Sequence, residues 1–193
     1  MIGQISLPML WKRSEKLRVI AGSLGSRKLN TPADDAVRPT TDKVKEALFS
    51  TLQFELEGAK VLDLFSGSGQ LGIEALSRGA ASAVLVDKSR SSIALTKKNL
   101  ALCSLEATVL HTDSFDYLEH CTEQFDIAFL DPPYGTGVLQ KALPLVSRVM
   151  CESGVIAAEC PYGEAVPAVL ENGFRCLKSK KYGSMCLHYF RKE

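Results

Sequence analysis

The residues best equipped for chemistry are Asp131-Pro132-Pro133-Tyr134, which directly follow the apolar run Ile127 to Leu130. The exocyclic amine of a nucleobase is a poor nucleophile because its lone pair is delocalised into the ring. To react, it must be held close to an electrophilic methyl group and turned toward pyramidal geometry. Asp131 and the backbone carbonyl of Pro132 can accept the two amine hydrogens, and the carboxylate can stabilise positive charge developing on nitrogen. The prolines fix φ and remove N–H groups, so the acceptors keep one geometry with no competing donor beside them. Tyr134 can stack on the base, a contact worth about 1–3 kcal/mol. Unstacking a base costs a similar few kcal/mol, and the balance favours an unpaired target such as a loop nucleotide. The plainer reading is a strand-ending turn with a half-buried aromatic.

A second constellation lies upstream, where Asp63-Leu64-Phe65-Ser66-Gly67-Ser68-Gly69-Gln70-Leu71-Gly72 joins an apolar run to a helical pattern. Glycines there allow a tight turn and close approach of a ligand to the backbone, and the helix start offers free N–H groups. Asp87, 20 residues after Gly67, is placed to accept hydrogen bonds from both hydroxyls of a ribose. Gly67, Gly69 and Gly72 also spell GxGxxG, so the turn alone equally suits a nicotinamide-dependent dehydrogenase. Asp63 at the end of the first strand could meet the amino end of a methionine-type cofactor. Asp113 could meet an adenine amino group, or simply cap the helix that follows it.

The elements that must position these groups are legible from periodicity. Val61–Phe65, Ala83–Val86, Ala107–His111, Ile127–Leu130 and Val155–Ala158 read as strands. Between and after them, Leu71–Ser77, Ser91–Leu102, Ser114–Glu119, Leu139–Met150 and Ala165–Glu171 read as helices. This alternation specifies a doubly wound α/β domain with a parallel sheet. Phe174–Ser179 and Met185–Phe190, around Lys181-Tyr182-Gly183, predict a C-terminal antiparallel hairpin, which brings the sheet to seven strands. Ahead of the domain, Thr41–Leu52 is a helix with Val44, Ala47, Leu48 and Leu52 on one face, and Thr41 or Asp42 as its N-cap. Leu17–Ile20 and Lys28–Leu29 predict a short N-terminal hairpin. We divide the chain into a basic extension and hairpin at 1–40 and the main domain at 41–193, forming one compact unit.

The chain has 193 residues with 46% hydrophobic and 23% charged content, which excludes disordered and fibrous classes. No apolar run reaches the roughly 20 residues needed to cross a bilayer, and no export signal is evident, so a cytoplasmic protein is expected. Six cysteines without a CxxC pair predict reduced thiols rather than a disulfide framework, and no metal site. Net charge is +1, unevenly spread: residues 1–30 carry +5, residues 31–170 carry −8 and residues 171–193 carry +4. Basic termini fit a phosphate-binding footprint if they share a face, and solvated tails if they do not.

Four blocks carry a family resemblance over residues 17–190: Arg18-Val19-Ile20-Ala21-Gly22 with Arg27-Lys28-Leu29, then Arg38-Pro39-Thr40-Thr41-Asp42-Lys43-Val44, then Asp63 to Leu76, then Phe129-Leu130-Asp131-Pro132-Pro133-Tyr134. With them the chain resembles the bacterial 16S ribosomal RNA guanine-N2 methyltransferases, of the class I, Rossmann-like type. The resemblance implies S-adenosyl-L-methionine as cofactor, contacted by Asp63, Gly67, Gly69, Asp87 and Asp113, with Arg38 and Thr40 lining its methionine end. It implies that Asp131, Pro132 and Tyr134 handle the base. It also implies a monomer acting on a guanine in a helix 31 type loop of 16S ribosomal RNA, within an assembled or nearly assembled small subunit. Ser26 and Ser89 depart from the family pattern, and residues 1–16 have no counterpart in it. Adenine-N6 nucleic-acid methylation is the alternative, followed by protein glutamine methylation, NAD-dependent oxidoreduction and non-catalytic RNA binding.

Overall fold

The computed structural model describes residues 17–32 and 42–192. Their elements follow in the order α1 (Asp42–Thr51), β1 (Lys60–Asp63), α2 (Gln70–Ser77), β2 (Ser82–Asp87), α3 (Arg90–Cys103), β3 (Thr108–His111), α4 (Ser114–His120), β4 (Phe125–Leu130), α5 (Val138–Arg148), β5 (Met150–Pro161), β6 (Phe174–Tyr182) and β7 (Met185–Lys192). The seven strands form one sheet in the order β3-β2-β1-β4-β5-β7-β6. The first five run parallel, and β7 is antiparallel to both of its neighbours. Strand order reverses between β1 and β4. Ligands of open α/β sheets bind at such a switch point, outside the carboxyl ends of the strands.

Both faces of the sheet are covered, so its strands read as continuous apolar runs rather than as an alternation. Val61, Leu85, Ile127 and Phe129 turn to one face, against Val44, Leu48 and Phe49 of α1 and Leu71 and Ala75 of α2. Leu62, Val84, Ala128 and Leu130 turn to the other, against Leu118 of α4 and Leu139, Leu143 and Val146 of α5. The six cysteines are free thiols. Among the described residues, no helix is long and apolar enough to cross a membrane.

Two expectations meet a different outcome. Ala165–Glu171 is not a helix. Pro167 lacks an N–H and disfavours helical backbone at Val166, and the segment instead lies along β6. There the Leu170 N–H donates to the Phe174 carbonyl at 2.7 Å and the Cys176 N–H donates to the Ala168 carbonyl at 2.9 Å. Residues 148–150 end one helix and start a strand sooner than expected: α5 stops at Arg148 and β5 begins at Met150.

The N-terminal hairpin is present as a single antiparallel bridge, Arg18 to Lys28, and its apolar side chains Leu17, Val19 and Leu29 pack on Ile73 of α2 and Leu100 of α3. A buried carboxylate fastens it. Glu74 of α2 is fully buried and accepts hydrogen bonds from the backbone of Ile20 (2.7 Å) and Ala21 (3.0 Å) and from Arg78 Nε (2.8 Å). Lys45 of α1, also fully buried, lies 3.5 Å from the same carboxylate and donates to the Arg18 carbonyl. Burial pushes the Lys45 amine below the usual lysine range, against the pull of Glu74 and Asp42.

Removing one partner of a buried pair leaves an uncompensated charge, which costs about 3–5 kcal/mol, whereas replacing both with apolar groups is often neutral. Glu74→Ala is expected to lose about that much stability in urea unfolding, and Glu74→Ala with Lys45→Met to recover most of it. A double variant as unstable as Glu74→Ala would mean that the backbone contacts to Ile20 and Ala21, rather than the ion pair, account for the loss.

Candidate active site

Each chemically equipped side chain sits where a parallel strand runs out at its carboxyl end. Asp63 ends β1, Asp87 ends β2 and Asp131 follows β4 directly, while Asp113 opens α4 two residues beyond β3. Asp63 is buried and accepts from the Gly72 N–H at 3.0 Å, so the strand end is tied to the first turn of α2. Asp87 accepts from the Gly67 N–H at 2.8 Å and the Ser89 N–H at 2.7 Å. Asp113 accepts from the Phe115 N–H at 2.8 Å and caps α4, the structural role weighed for it. The neighbouring Ser114 hydroxyl donates to the Leu64 carbonyl at 2.9 Å, which brings that cap to the β1 exit. Arg38 and Thr40 lie outside the described residues.

The three glycines of the turn do different work. Gly69 has a φ of 78°, and a Cβ there would meet Thr96 at 2.9 Å; a Cβ on Gly72 would meet Leu85 at 2.8 Å. Both are glycine because α3 and β2 press against the turn. Gly67 also has a positive φ, 52°, but a Cβ built there meets nothing within 4 Å. At that position the backbone faces open space, which a ligand can approach closely. Behind the turn, α3 holds it with the Thr96 hydroxyl on the Gly67 carbonyl (3.0 Å) and Asn99 Nδ2 on the Ser68 carbonyl (2.9 Å).

Buried polar atoms normally have partners, yet Ser66 Oγ and Gln70 Oε1, both buried within the turn, have none among the described residues. The carboxylates, the open backbone at Gly67 and these two polar atoms together fit a polar, hydroxyl- and amine-bearing nucleoside cofactor better than an apolar one.

On the other side of the switch point, Pro132 is buried while Tyr134 keeps 38% of its surface exposed. The Tyr134 hydroxyl donates to Asp131 Oδ1 at 3.0 Å and lies 3.5 Å from Glu159 Oε1. Burial, and then the charges of Asp131 and Glu159, push its pKa well above the usual phenol range, so it is a neutral donor. Glu159, buried near the end of β5, is the site residue that sequence reasoning missed. Its signal was the one borne by Asp63 and Asp131, an acid closing a buried apolar run, but the predicted strand stopped one residue short, at Ala158.

The chain is similar to known proteins over most of its length. The model of the family described as Conserved hypothetical protein 95 matches residues 17–191. Ribosomal RNA small subunit methyltransferase D of Escherichia coli K12 is 33% identical over 183 residues, covering 93% of this chain and 92% of that protein. The protein of the same name from Haemophilus influenzae is 38% identical over 143 residues, covering 72% of each. The solved yhhF protein of Escherichia coli superposes with a TM-score of 0.82 at 31% identity, covering 92% of this chain and 98% of that one.

Burial, foremost, with the charges of Asp131 and Asp87, raises the Asp63 pKa to about 7, against the partial offset of the Gly72 N–H. A carboxyl whose folded pKa is raised binds its proton more tightly when folded, so its contribution to stability declines as pH rises from about 4 to about 7. Between pH 5 and pH 7.5 the wild type is expected to lose roughly 2–3 kcal/mol relative to Asp63→Asn, read as the change in the difference between their unfolding free energies in urea. Parallel pH dependence in the two proteins would show Asp63 ionising normally in its buried position.

Proposed function

Because the chain belongs to the family described as Conserved hypothetical protein 95, we propose that it is an S-adenosyl-L-methionine-dependent ribosomal RNA methyltransferase. We further propose that it modifies the exocyclic N2 amine of a guanine in 16S ribosomal RNA of the small subunit. The observation that carries this reading is the placement of two carboxylates, Asp63 and Asp131, at the ends of neighbouring strands at the switch point. The glycine turn lies on one side and the Asp-Pro-Pro-Tyr segment on the other. The cofactor supplies an electrophilic methyl group.

In this assignment Asp63 meets the amino end of the cofactor, whose positive charge favours the ionised carboxylate, and Asp87 accepts from the ribose hydroxyls next to the backbone of Gly67. Gly69 keeps the turn closed against α3. Arg38 and Thr40 are assigned to the methionine end and Asp113 to the adenine, on family resemblance alone. Asp131 and the carbonyl of Pro132 accept the two amine hydrogens and turn the nitrogen lone pair toward the methyl group. Methyl transfer would exchange the S–C bond of the cofactor, which leaves as a neutral thioether, for an N–C bond; the nitrogen would become acidic and pass its proton to Asp131 and on to solvent, so no strong base is required. Tyr134 offers its exposed ring to the base while its hydroxyl steadies Asp131. Guanine is preferred to adenine because of the resemblance of Arg38 to Val44 to the family pattern.

The decisive experiment is methyl transfer from labelled cofactor to undermethylated small ribosomal subunits, alongside naked 16S RNA and DNA, with digestion to nucleosides. Label in N2-methylguanosine is expected; label in N6-methyladenine would keep the chemistry and overturn the base. Loss of a group that acts in the transition state typically costs 10²–10³ in rate. Asp131→Ala is therefore expected to lose at least about a hundredfold in kcat, with cofactor affinity changed less than about threefold; an active Asp131→Ala enzyme would overturn the amine-orienting role.

A further inference from the structure

The carboxyl end of the sheet does not stop at β4 and β5. Beyond them the antiparallel hairpin extends the same rim, because Pro161 at the end of β5 pairs with Met185 at the start of β7, and Tyr182 at the end of β6 pairs with that same residue. The hairpin closes through Gly183-Ser184, and the Tyr162 N–H donates to the Ser184 carbonyl at 2.8 Å, which fixes Tyr162 beside the turn. Tyr162 is 60% exposed, and Lys181 Nζ sits 3.6 Å from its ring centroid. On the other face of β6, Lys180 lies over the ring of Tyr182 and Lys178 over the ring of Tyr189. Residues 174–182 carry four basic side chains and no acid, in contrast with the acidic cluster at the switch point.

We propose that Tyr162 and Lys178, Lys180 and Lys181 form a docking lip for single-stranded RNA flanking the target nucleotide. This inference rests on the proposed function. The Lys181 cation against one face of the Tyr162 ring holds the ring in place, and the exposed remainder of Tyr162 offers a surface to a base. The lysines straddle the outermost strand and present point charges to phosphates. Neighbouring strands lie about 4.8 Å apart, so β6 is roughly 14 Å from β4, which places the lip a few nucleotides from Asp131. Charge sorts the two ends of the substrate: acids hold the reacting amine, and lysines hold the backbone that leads to it.

The test uses the whole protein with undermethylated small subunits and with naked 16S RNA, comparing wild type, Tyr162→Ala, Tyr162→Phe and Lys180→Ala with Lys181→Ala. The substituted residues are surface groups, and unchanged cofactor affinity checks that each variant is folded. Tyr162→Ala is expected to raise KM for the subunit about tenfold, with the effect falling on KM rather than on kcat and with Tyr162→Phe close to wild type. The double lysine variant is expected to flatten the plot of log affinity against log salt by about 1.4, or about 0.7 for each phosphate of a single strand that is no longer neutralised.

Unchanged KM and salt slope, with an active wild type, would overturn the lip and leave the proposed function standing. Impairment toward subunits with none toward naked RNA would place a ribosomal protein there instead and equally overturn it. Failure of the wild type to methylate any RNA would fell the proposed function itself.

Discussion

The Glu74 carboxylate is the point at which three separate stretches of chain become one structure. It sits in α2, two residues beyond the glycine-rich segment, and it holds the backbone of the N-terminal hairpin, Arg78 just past the end of its own helix and the amine of Lys45 from α1. Ion pairs of this depth gain little net energy over apolar packing, because desolvation consumes the Coulombic attraction. Their effect is on geometry: an arrangement that parted these three segments would leave buried charges without partners. With the hairpin held there, Asn30 reaches Asn99, and Asn99 in turn holds the Ser68 carbonyl. The conformation of the glycine-rich turn is therefore set partly by residues that precede the domain in sequence.

The second constraint is electrostatic. Parallel strands that end together at a switch point bring their terminal side chains together, and here Asp63, Asp87 and Asp131 are close enough for the charges of the latter two to raise the pKa of the first. Each carboxylate is held by a directed donor: the Gly72 and Gly67 amides for Asp63 and Asp87, and the Tyr134 hydroxyl for Asp131. Donors fixed by backbone geometry before a ligand arrives need no reorganisation when it binds, the condition under which electrostatic stabilisation is most effective. The rim is poised to accept positive charge, which is what the proposed function asks of it.

Most of this architecture was legible in the order of residues. Five apolar runs separated by helical periodicity specify a parallel sheet, and an acid or a glycine where each run ends points to its functional edge. Legibility failed where local pattern and tertiary context diverged. Ala165–Glu171 has helical spacing, but Pro167 and the open edge of β6 draw it into extended pairing. Glu159 escaped notice because β5, with 12 residues, continues past its most apolar stretch. Asp113 carries the same signature as Asp87, and each accepts from the amide two residues on; only the further bond from the Gly67 N–H ties Asp87 to the turn. The Glu74–Lys45 pair was invisible, since nothing in one sequence tells a solvated charge on a helix from one that a remote hairpin will cover.

The outermost strand has a bearing on how this protein behaves in company. An exposed strand edge invites another chain to add to the sheet, and natural proteins guard such edges with lysines, bulges and short partial covers. All three occur on β6: the segment at 168–170 shields its beginning, the register shifts between Cys176 and Lys178, and lysines line the rest. Self-association by edge addition would set two such rows of lysines against each other, so like-charge repulsion opposes that mode of addition at low salt. The half-exposed Leu177 shows what the lysines are holding in check. High salt or charge-neutralising modification of these lysines removes that guard, which ties the colloidal behaviour of the protein to the same few side chains that give its sheet a basic rim.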